Sequence, residues 1–325
     1  MKIKTYTDEY ENQWDDFVQN SKNGTFMQQR KFLNYHPKGK FQDCSLLAFD
    51  DQDQILAVIP AAIKKEGESV IFCSYPGASH GGIIINQKFD TAKSLKLIPI
   101  LIEHCREMGV NAIEMKMVPR IYHFWPSDEI DFSLRYYGFS AHISELATAL
   151  PLMNLENIES IMEKNTVRNK NQAIKRGVTV KETDNIADYW RLLESNLRKR
   201  HNTLPTHTYN EILDLIKRFP DNIKLFSAFY QEKMIAGVLV FILNSRVLNC
   251  FYICHDEEFQ HLRPLNLVFS SLITWGLNAG FHFVDWGIST ENKGKSVNNG
   301  LFKFKEGFGG RGVLRETYRL TLEKR

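Results

Sequence analysis

The chain has 325 residues and carries a formal net charge of +3. Hydrophobic residues make up 43% of it and charged residues 24%, which is typical of a globular protein and excludes a largely disordered chain. The small net charge excludes a protein that is strongly basic throughout, so nucleic-acid binding has to be argued from local clusters. The length favours two domains, which we place at 1–150 and 151–325, and one large α/β domain is the alternative.

The cysteines and the N-terminus indicate a reducing, cytoplasmic environment. The five cysteines are scattered, odd in number and mostly set in apolar runs, which is unlike a disulfide framework. Cys250 and Cys254 lie four residues apart, but no second Cys/His pair stands at the spacing of a zinc site, so we expect no metal. Met1–Tyr10 is polar, unlike a signal peptide, and no run reaches the roughly 18 apolar residues of a membrane span.

Hydrophobic periodicity predicts a mixed α/β first half. The predicted elements are helices over 8–20 and 25–35, strands over 45–49, 55–64 and 69–74, a glycine-rich loop over 74–82 leading into 83–85, a helix over 91–108 and a strand over 112–117. The polar turn at 50–54 predicts a hairpin, and Pro60 indicates an edge or a bulge within its strand. Residues 119–155 are aromatic and predicted to be irregular, with a strand over 146–150 and a turn at 151–154.

The second half repeats this order of elements. The predicted elements are helices over 155–164 and 167–176, a strand over 178–182, helices over 186–200 and 209–219, strands over 223–230, 234–243 and 246–254, a helix over 264–279, a strand over 282–286, a short helix over 300–307 and a strand over 313–322. Each half therefore contains helices, a three-stranded meander, a loop, a helix and a strand. The similarity is one of element order and not of residues.

This order is similar to that of the acetyltransferase fold known as GNAT. A series of short motifs in the second half makes the resemblance more specific, namely Ile235–Leu239, Phe251–Ile253, Leu272–Gly276, Asp285–Gly287 and Phe302–Gly310. Over roughly 223–318 the series resembles the Fem-type peptidyltransferases and the FemAB-like acyltransferases of bacteria. The first half matches less specifically, through Trp14, Thr25–Phe26, Phe32–Leu33 and the Tyr75–Gly82 loop.

The resemblance implies a fold and an activity. The fold is α/β (α+β), with two tandem GNAT-like domains that each have a mixed, mostly antiparallel sheet flanked by helices. The activity is the transfer of an acyl or aminoacyl group from an activated donor, acyl-CoA or aminoacyl-tRNA, to an amine or hydroxyl of a small-molecule or cell-envelope precursor.

Two departures from the family pattern leave the donor open. Residues 155–181 have no room for the long helical hairpin that is common in ligases using aminoacyl-tRNA, which disfavours tRNA. The acetyl-CoA signature Q/R-x-x-G-x-G/A is also absent, and His261–Asn266 stands in its place. Arg263 and Asn266 remain as candidates for binding a donor phosphate at a helix N-terminus.

Acyl transfer requires positioning, a proton acceptor and hydrogen-bond donors for the developing oxyanion. Asp285 ends a strand, where it would accept a proton or orient an amine, or else cap the following turn. The resemblance implies that Tyr252 is a general acid, and a core position is the alternative. His255 is a candidate base because imidazole titrates near neutral pH, unless it is simply solvated.

Four further candidates in the second half would bind substrate. The resemblance implies a phosphate-contacting or substrate-orienting lysine near Lys305, and Lys303 stands two residues before it; the alternative is solvated lysines beside an aromatic residue. Arg200 and His201 end a helix before a loop that resembles the wall of a cleft. Cations at a helix C-terminus are also expected from the helix dipole alone.

In the first half, Tyr75, Ser79 and His80 would line a cleft between the domains, because nearby glycines permit close approach of the backbone. A tight structural turn is the alternative.

A stretch of basic residues lies at the start of the second half. Its members are Lys164, Arg168, Lys170, Lys175 and Arg176. The stretch would bind a phosphate-bearing substrate or an RNA, and a solvated helix face is the alternative. Three functions thus remain open: an acyltransferase, a catalytically silent GNAT-like protein that binds a ligand, and a nucleic-acid-binding protein.

Overall fold

The computed structural model describes residues 1–323, apart from the side chain of His201, and divides into two compact units. The first unit comprises Met1–Glu145, Asn292–Gly294 and the chain from Leu314 onward, and the second comprises Leu146–Glu291 and Lys295–Val313. The predicted domains, 1–150 and 151–325, assume that the chain passes from one domain to the other only once. The units are instead discontinuous, because the last strand pairs through Thr317–Thr321 with Ala112–Lys116 of the first unit.

The first unit contains two sheets and several helices. Its strands are β1 (Lys2–Thr5), β2 (Gln42–Asp43), β3 (Leu46–Phe49), β4 (Ile55–Ile59), β5 (Ala61–Glu66), β6 (Ser69–Ser74), β7 (Ile84–Ile85) and β8 (Ala112–Lys116). Its helices include α1 (Glu11–Gln19), α2 (Arg30–Leu33), α3 (Thr91–Glu107) and α4 (Glu129–Tyr136). One sheet has the order β1-β3-β4-β7, and the other contains the run β8-β6-β5-β2.

The single strand predicted over 55–64 is wrong. The chain changes sheets at Pro60, so β4 pairs with β3 in one sheet and β5 pairs with β6 in the other. Proline has no N–H to donate to a ladder, which makes it a natural point of interruption. The hairpin predicted around the turn at 50–54 is confirmed by the antiparallel pairing of β3 with β4.

The chain then passes through β9 (Ser140–Pro151), which crosses the boundary between the units, into the second unit. The elements there are α5 (Lys164–Lys175), β10 (Thr179–Thr183), α6 (Ile186–His201), α7 (Tyr209–Arg218), β11 (Ile223–Tyr230), β12 (Lys233–Asn244), β13 (Val247–His255), α8 (Pro264–Asn278), β14 (Phe283–Ile288), β15 (Thr290–Glu291), β16 (Ser296–Val297) and α9 (Asn299–Glu306). The last strand, β17, covers Arg311–Thr321.

The predicted meander over 223–254 is confirmed as β11, β12 and β13, which pair antiparallel in sequence order. Two predictions nearby are wrong. The stretch 119–155 is not irregular, because it contains α4 and the long strand β9, and the helix predicted over 155–164 is only the 3-10 turn Ile158–Ser160. In the first case, two of the aromatic residues that suggested irregularity, Phe132 and Tyr136, lie on the exposed face of the short helix α4.

Two helices cover opposite faces of the meander. Val238, Val240 and Ile242 of β12 belong to the same buried cluster as the apolar residues of α8. Successive side chains of a strand point to opposite faces. Gly237 accordingly points the other way, and a Cβ built on it would lie 2.8 Å from the ring of Tyr189 in α6. The absence of a side chain at Gly237 therefore lets α6 pack closely on the sheet.

Candidate functional site

Strand β13 carries a β-bulge within its pairing with β12. Leu239 lies opposite Tyr252 and Val240 opposite Cys250, so Phe251 is the extra residue of β13. A bulge leaves its extra residue out of the ladder and re-aims the neighbouring side chains, and bulges are frequent next to active sites.

The bulge places two consecutive aromatic rings on the α6 side of the sheet. Phe251 stacks on Phe241, with ring centroids 4.2 Å apart and an interplanar angle of 9°. Tyr252 lies edge-on to Trp190 of α6, with a centroid distance of 5.8 Å. In a regular strand, Phe251 and Tyr252 would point to opposite faces.

The sheet opens next to this bulge. Strands β13 and β14 are parallel, and their pairs run only from Val247 with Phe283 to Asn249 with Asp285. Within the described residues, β13 has no further partner in β14 beyond Asn249. Backbone N–H groups that are left unpaired at an opening of this kind can act as fixed donors to an oxyanion.

The hydroxyl of Tyr252 is held by the loop that precedes α7. The backbone N–H of His207 donates to it over 3.2 Å, and the Nδ1 atom of His207 lies 2.8 Å from it. Burial raises the pKa of Tyr252, while hydrogen bonds from His207 and Thr206 act in the opposite direction. The phenol therefore keeps its hydrogen at neutral pH, and its conjugate base would be stabilised by donors already in place.

His255 ends β13 and is 7% exposed. Arg200 Nη2 lies 3.2 Å from His255 Nε2, and a guanidinium can only donate, so the lone pair of Nε2 points at the arginine. Burial, and then the charge of Arg200, lower the pKa of His255. Arg200 also donates to Glu257 over 2.9 Å. This arrangement makes His255 a weak base. The neighbouring candidate His201 ends α6, and its side chain lies outside the described part of the structure.

Asp285 and Lys305 are buried polar residues at the end of β14. Asp285 is 0% exposed and Lys305 2% exposed. Asp285 Oδ1 accepts from the Gly287 N–H over 2.7 Å. Lys305 Nζ donates to the carbonyl oxygens of Gly287 and Ile288 over 2.9 Å each, and to Ser289 Oγ over 2.7 Å. An ammonium group has three N–H donors, and these three hydrogen bonds tie Lys305 to the turn after β14 and hold that turn in place.

The N-terminus of α8 follows the carboxyl end of β13. Arg263 is the N-cap residue, with φ of 59°, and its side chain is exposed. Asn266, in the first turn, is 7% exposed. A helix N-terminus attracts anions through its free N–H groups, and Arg263 adds a positive charge there. Lys303, on α9, is exposed.

The loop over 74–82 of the first unit is tightly tied to the neighbouring strand β8. The Gly81 N–H donates to the Lys116 carbonyl oxygen over 2.9 Å, and the Gly82 N–H donates to Ser74 Oγ over 3.1 Å. Tyr75 is 7% exposed, and burial raises its pKa to about 12. These contacts provide a structural reason for the small residues of the loop.

The other two candidates of this loop differ in burial. Ser79 is half-buried, whereas His80 is 2% exposed. His80 Nε2 lies 3.4 Å from Thr25 Oγ1, and its Nδ1 atom is buried with no hydrogen-bond partner among the described residues. Burial lowers the pKa of His80 well below its usual value, so the ring is neutral in the folded protein.

The structure therefore groups the predicted residues into separate places. In the second unit, Tyr252, His255 and Arg200 lie around the outer end of β13, while Asp285 and Lys305 secure the end of β14. Tyr75, Ser79 and His80 belong to the first unit. His207 and Trp190 are absent from the predictions. The capping box of Thr208 and Glu211 starts α7, so His207 could have been recognised as a loop residue directly before a helix.

The basic stretch forms one exposed edge of α5. Lys164, Arg168 and Lys175 are exposed, whereas Ala173, which the helical repeat places on the other side, is buried. Lys170 pairs with Glu159, and Arg176 donates to the His261 carbonyl oxygen. This edge therefore carries charge that the fold itself does not require.

No group of three or more His, Cys, Asp or Glu side chains in residues 1–323 is arranged to hold a metal ion. None of the helices described there combines the length and the apolarity needed to cross a membrane.

Comparison with known proteins identifies the fold. Residues 163–303 match the family model described as acetyltransferase (GNAT) domain. No curated protein matches the chain. The match lies almost entirely within the second unit, and the resemblance read from the motifs of that unit is confirmed.

Solved structures extend the likeness to the whole chain. A structure of FemX matches with a TM-score of 0.70 and 14% identity, covering 99% of this chain and 98% of that one. The C-terminal domain of a putative lysylphosphatidylglycerol synthetase from Agrobacterium fabrum matches with 0.62 and 11%, covering 96% and 91%. A tandem GNAT protein from the clavulanic acid biosynthesis pathway matches with 0.56 and 9%, covering 98% of each. The predicted tandem GNAT fold is confirmed.

Proposed function

We propose that this protein transfers an acyl or aminoacyl group from an activated donor to an amine or hydroxyl, at the opening between β13 and β14. The observation that carries the proposal is the bulge at Phe251, which lies beside Tyr252 and next to the point where the pairing of β13 with β14 ends. A GNAT family match over this region and the tandem GNAT fold support the same class of reaction.

The residues of the second unit have distinct roles in this proposal. The donor carbonyl lies against the N–H groups at the open edge of β13, which stabilise the oxyanion as the acceptor attacks. Tyr252 gives its hydrogen to the leaving atom of the donor, which is the usual work of a general acid. Arg263 and Asn266, at the N-terminus of α8, bind a phosphate of the donor.

The remaining predicted residues support this site. Asp285 and Lys305 keep the end of β14 in position and so maintain the width of the opening. Arg200 and His255 form its outer wall. Tyr75, Ser79 and His80 of the first unit, and His201 and Lys303 of the second, remain proposed contacts for a substrate.

The acceptor is proposed to be a small-molecule or cell-envelope precursor. The names of two of the structural relatives, FemX and a lysylphosphatidylglycerol synthetase, motivate the envelope precursor. Acyl-CoA is the preferred donor class, because the longest helix in residues 155–181 is the 12-residue α5, which is too short for a long helical arm that would bind tRNA. The proposed location is the cytoplasm, where both donor classes are made.

A donor panel tests the proposal. The protein is incubated with several acyl-CoAs and several aminoacyl-tRNAs, each with an amine and a hydroxyl acceptor, and the release of free thiol or deacylated tRNA is measured. We expect acceptor-dependent release from one donor class. If a donor raises the melting temperature without being consumed, the protein is a catalytically silent ligand-binding protein. If no donor is bound or consumed, the proposal is wrong.

A further inference from the structure

Two groups of one residue, His207, approach the same oxygen atom. The backbone N–H of His207 donates to the hydroxyl oxygen of Tyr252 over 3.2 Å, and its Nδ1 atom stands 2.8 Å from that oxygen. Because a backbone N–H can only donate, the hydroxyl oxygen already acts as an acceptor in this pair. The second contact is open in direction, since Nδ1 either accepts the phenol hydrogen or donates one of its own.

The surroundings hold the imidazole of His207 in place. The residue is 7% exposed. Its ring lies edge-on to Phe251 at 5.5 Å and to Tyr252 at 5.9 Å, as measured between ring centroids. The next residue, Thr208, caps α7 through a reciprocal capping box with Glu211. The position of His207 is therefore determined by aromatic packing on one side and by a helix start on the other.

We propose that His207 is a positioning residue that carries a hydrogen on Nδ1 and donates it to the Tyr252 oxygen. With both His207 groups donating, the phenol's own hydrogen cannot be shared with His207, and it is available to the leaving atom of the donor. This inference rests on the proposed function, because the direction matters only if Tyr252 protonates a leaving group. The reverse arrangement would sequester the hydrogen of Tyr252 on His207.

The transfer step exchanges one bond to the acyl carbon for another. The acceptor forms a bond to the acyl carbon, and the bond between that carbon and the leaving sulfur or oxygen breaks with its electron pair. The Oη–H bond of Tyr252 breaks, and its hydrogen moves to the leaving atom. The phenolate that forms keeps both hydrogen bonds from His207. It regains a hydrogen from the water that takes up the proton lost by the acceptor.

The direction of the hydrogen bond can be measured without any donor. Histidine ring nitrogens are labelled with 15N in the full-length protein, and the resonance of His207 is assigned by its loss in His207→Asn. A protonated, pyrrole-type Nδ1 is expected. A pyridine-type Nδ1 would overturn the proposal whatever the activity of the protein.

Two variants then test the role in transfer. His207→Phe keeps an aromatic ring and the backbone N–H but removes Nδ1, whereas His207→Asn places an amide nitrogen close to the position of Nδ1. We expect His207→Phe to lower kcat by on the order of 10²-fold with KM little changed, as for loss of a well-placed general acid. His207→Asn should restore most of this loss, and His142→Phe, at an exposed position of the first unit, is the matched control.

The failures of the two proposals are distinguishable. If no donor of the panel is consumed by the unaltered protein, the acyltransferase proposal fails, and a pyrrole-type Nδ1 still supports the hydrogen-bond direction. If a donor is consumed and His207→Phe is as active as the unaltered protein, His207 does not position Tyr252 for transfer, and the inference is wrong while the function stands.

Discussion

Lys305 Nζ donates a hydrogen bond of 2.9 Å to the carbonyl oxygen of Gly287, at the end of strand β14. Ile288 and Ser289 accept two further hydrogen bonds from it, so the ammonium group is anchored to the turn that follows β14. A buried lysine with this environment secures local structure. The same residue is the one that resemblance to Fem-type enzymes singled out for contact with a substrate.

Replacement of Lys305 is therefore expected to destabilise the protein. Lys305→Met leaves three acceptors without this donor, of which Ser289 is in a buried residue, and hydrogen bonds to charged groups contribute about 1.5–3 kcal/mol each in mutational series. Because the lysine's own desolvation is relieved, we expect a net loss of about 2–4 kcal/mol in the free energy of unfolding. Urea unfolding measures it. Lys303→Met, at an exposed position of the same helix, should change it by less than about 0.5 kcal/mol. Equal effects of the two changes would refute the structural role.

Close packing of α6 on the sheet makes Gly237 intolerant of a side chain. A Cβ there would lie 2.8 Å from two ring atoms of Tyr189 and 3.0 Å from Ser227 Oγ. We expect Gly237→Ala to cost about 1–3 kcal/mol, as for other overpacked cores. Gly300→Ala is the control with the opposite sign, because this glycine lies in α9 with its nearest neighbour at 3.7 Å and should gain up to about 1 kcal/mol of helix propensity. Thermal unfolding of both variants measures these effects, and a Gly237→Ala protein as stable as the unaltered one would contradict the close packing of α6 on the sheet.

His123 makes the stability of the first unit depend on pH. The residue is 6% exposed, and burial, followed by the charge of Arg120, lowers its pKa to about 4. The unfolded chain, with a pKa near 6.5, binds a proton more readily than the folded one. Stability is therefore full above about pH 6.5 and falls as the pH decreases from there toward about 4.

A shift of this size corresponds to on the order of 3 kcal/mol at the acid end. Urea unfolding at pH 7 and at pH 5 should show a smaller pH-dependent difference in His123→Gln than in the unaltered protein. His142→Gln, at an exposed position, should retain the full difference. An unchanged pH dependence in His123→Gln would contradict this assignment.

The basic edge of α5 lies outside the proposed site. We expect the triple change of Lys164, Arg168 and Lys175 to Gln to leave transfer from an acyl-CoA within about twofold. Any binding to RNA should become weaker, with the slope of log affinity against log salt reduced by up to about 2–3, because up to three phosphate contacts are lost. If the donor is instead an aminoacyl-tRNA, and the triple variant has a much higher KM for it than the unaltered protein, this edge of α5 binds the donor.

Local patterns were sufficient to predict much of the second unit. The strand predicted over 223–230 is observed with the same bounds, and the helices over 186–200 and 264–279 differ by one residue at one end. These elements have strong periodicity and clear starts, such as the proline that begins α8. Residues 55–64 and 119–155 were predicted less well, because sheet membership and the long strand β9 depend on partners distant in sequence.

The candidate site shows the same limit. Tyr252 and His255 were recognised, since they end a predicted strand in the region of the family motifs. The bulge at Phe251 could not be predicted, because it is a property of register with β12 and leaves no signal in β13 alone. The contact of His207 with Tyr252 joins residues 45 positions apart. Such pairs are determined by tertiary packing.

Tyr252 as the general acid is the central claim, and the most direct test is the rate of transfer by Tyr252→Phe. With the donor found in the panel, kcat and KM are measured for the unaltered protein and for this variant between pH 6 and pH 9, the range that spans neutrality. Because the change removes only the hydroxyl, we predict a fall in kcat of on the order of 10²-fold or more with KM little changed. A Tyr252→Phe protein with the full kcat would contradict the assignment of Tyr252 as the acid.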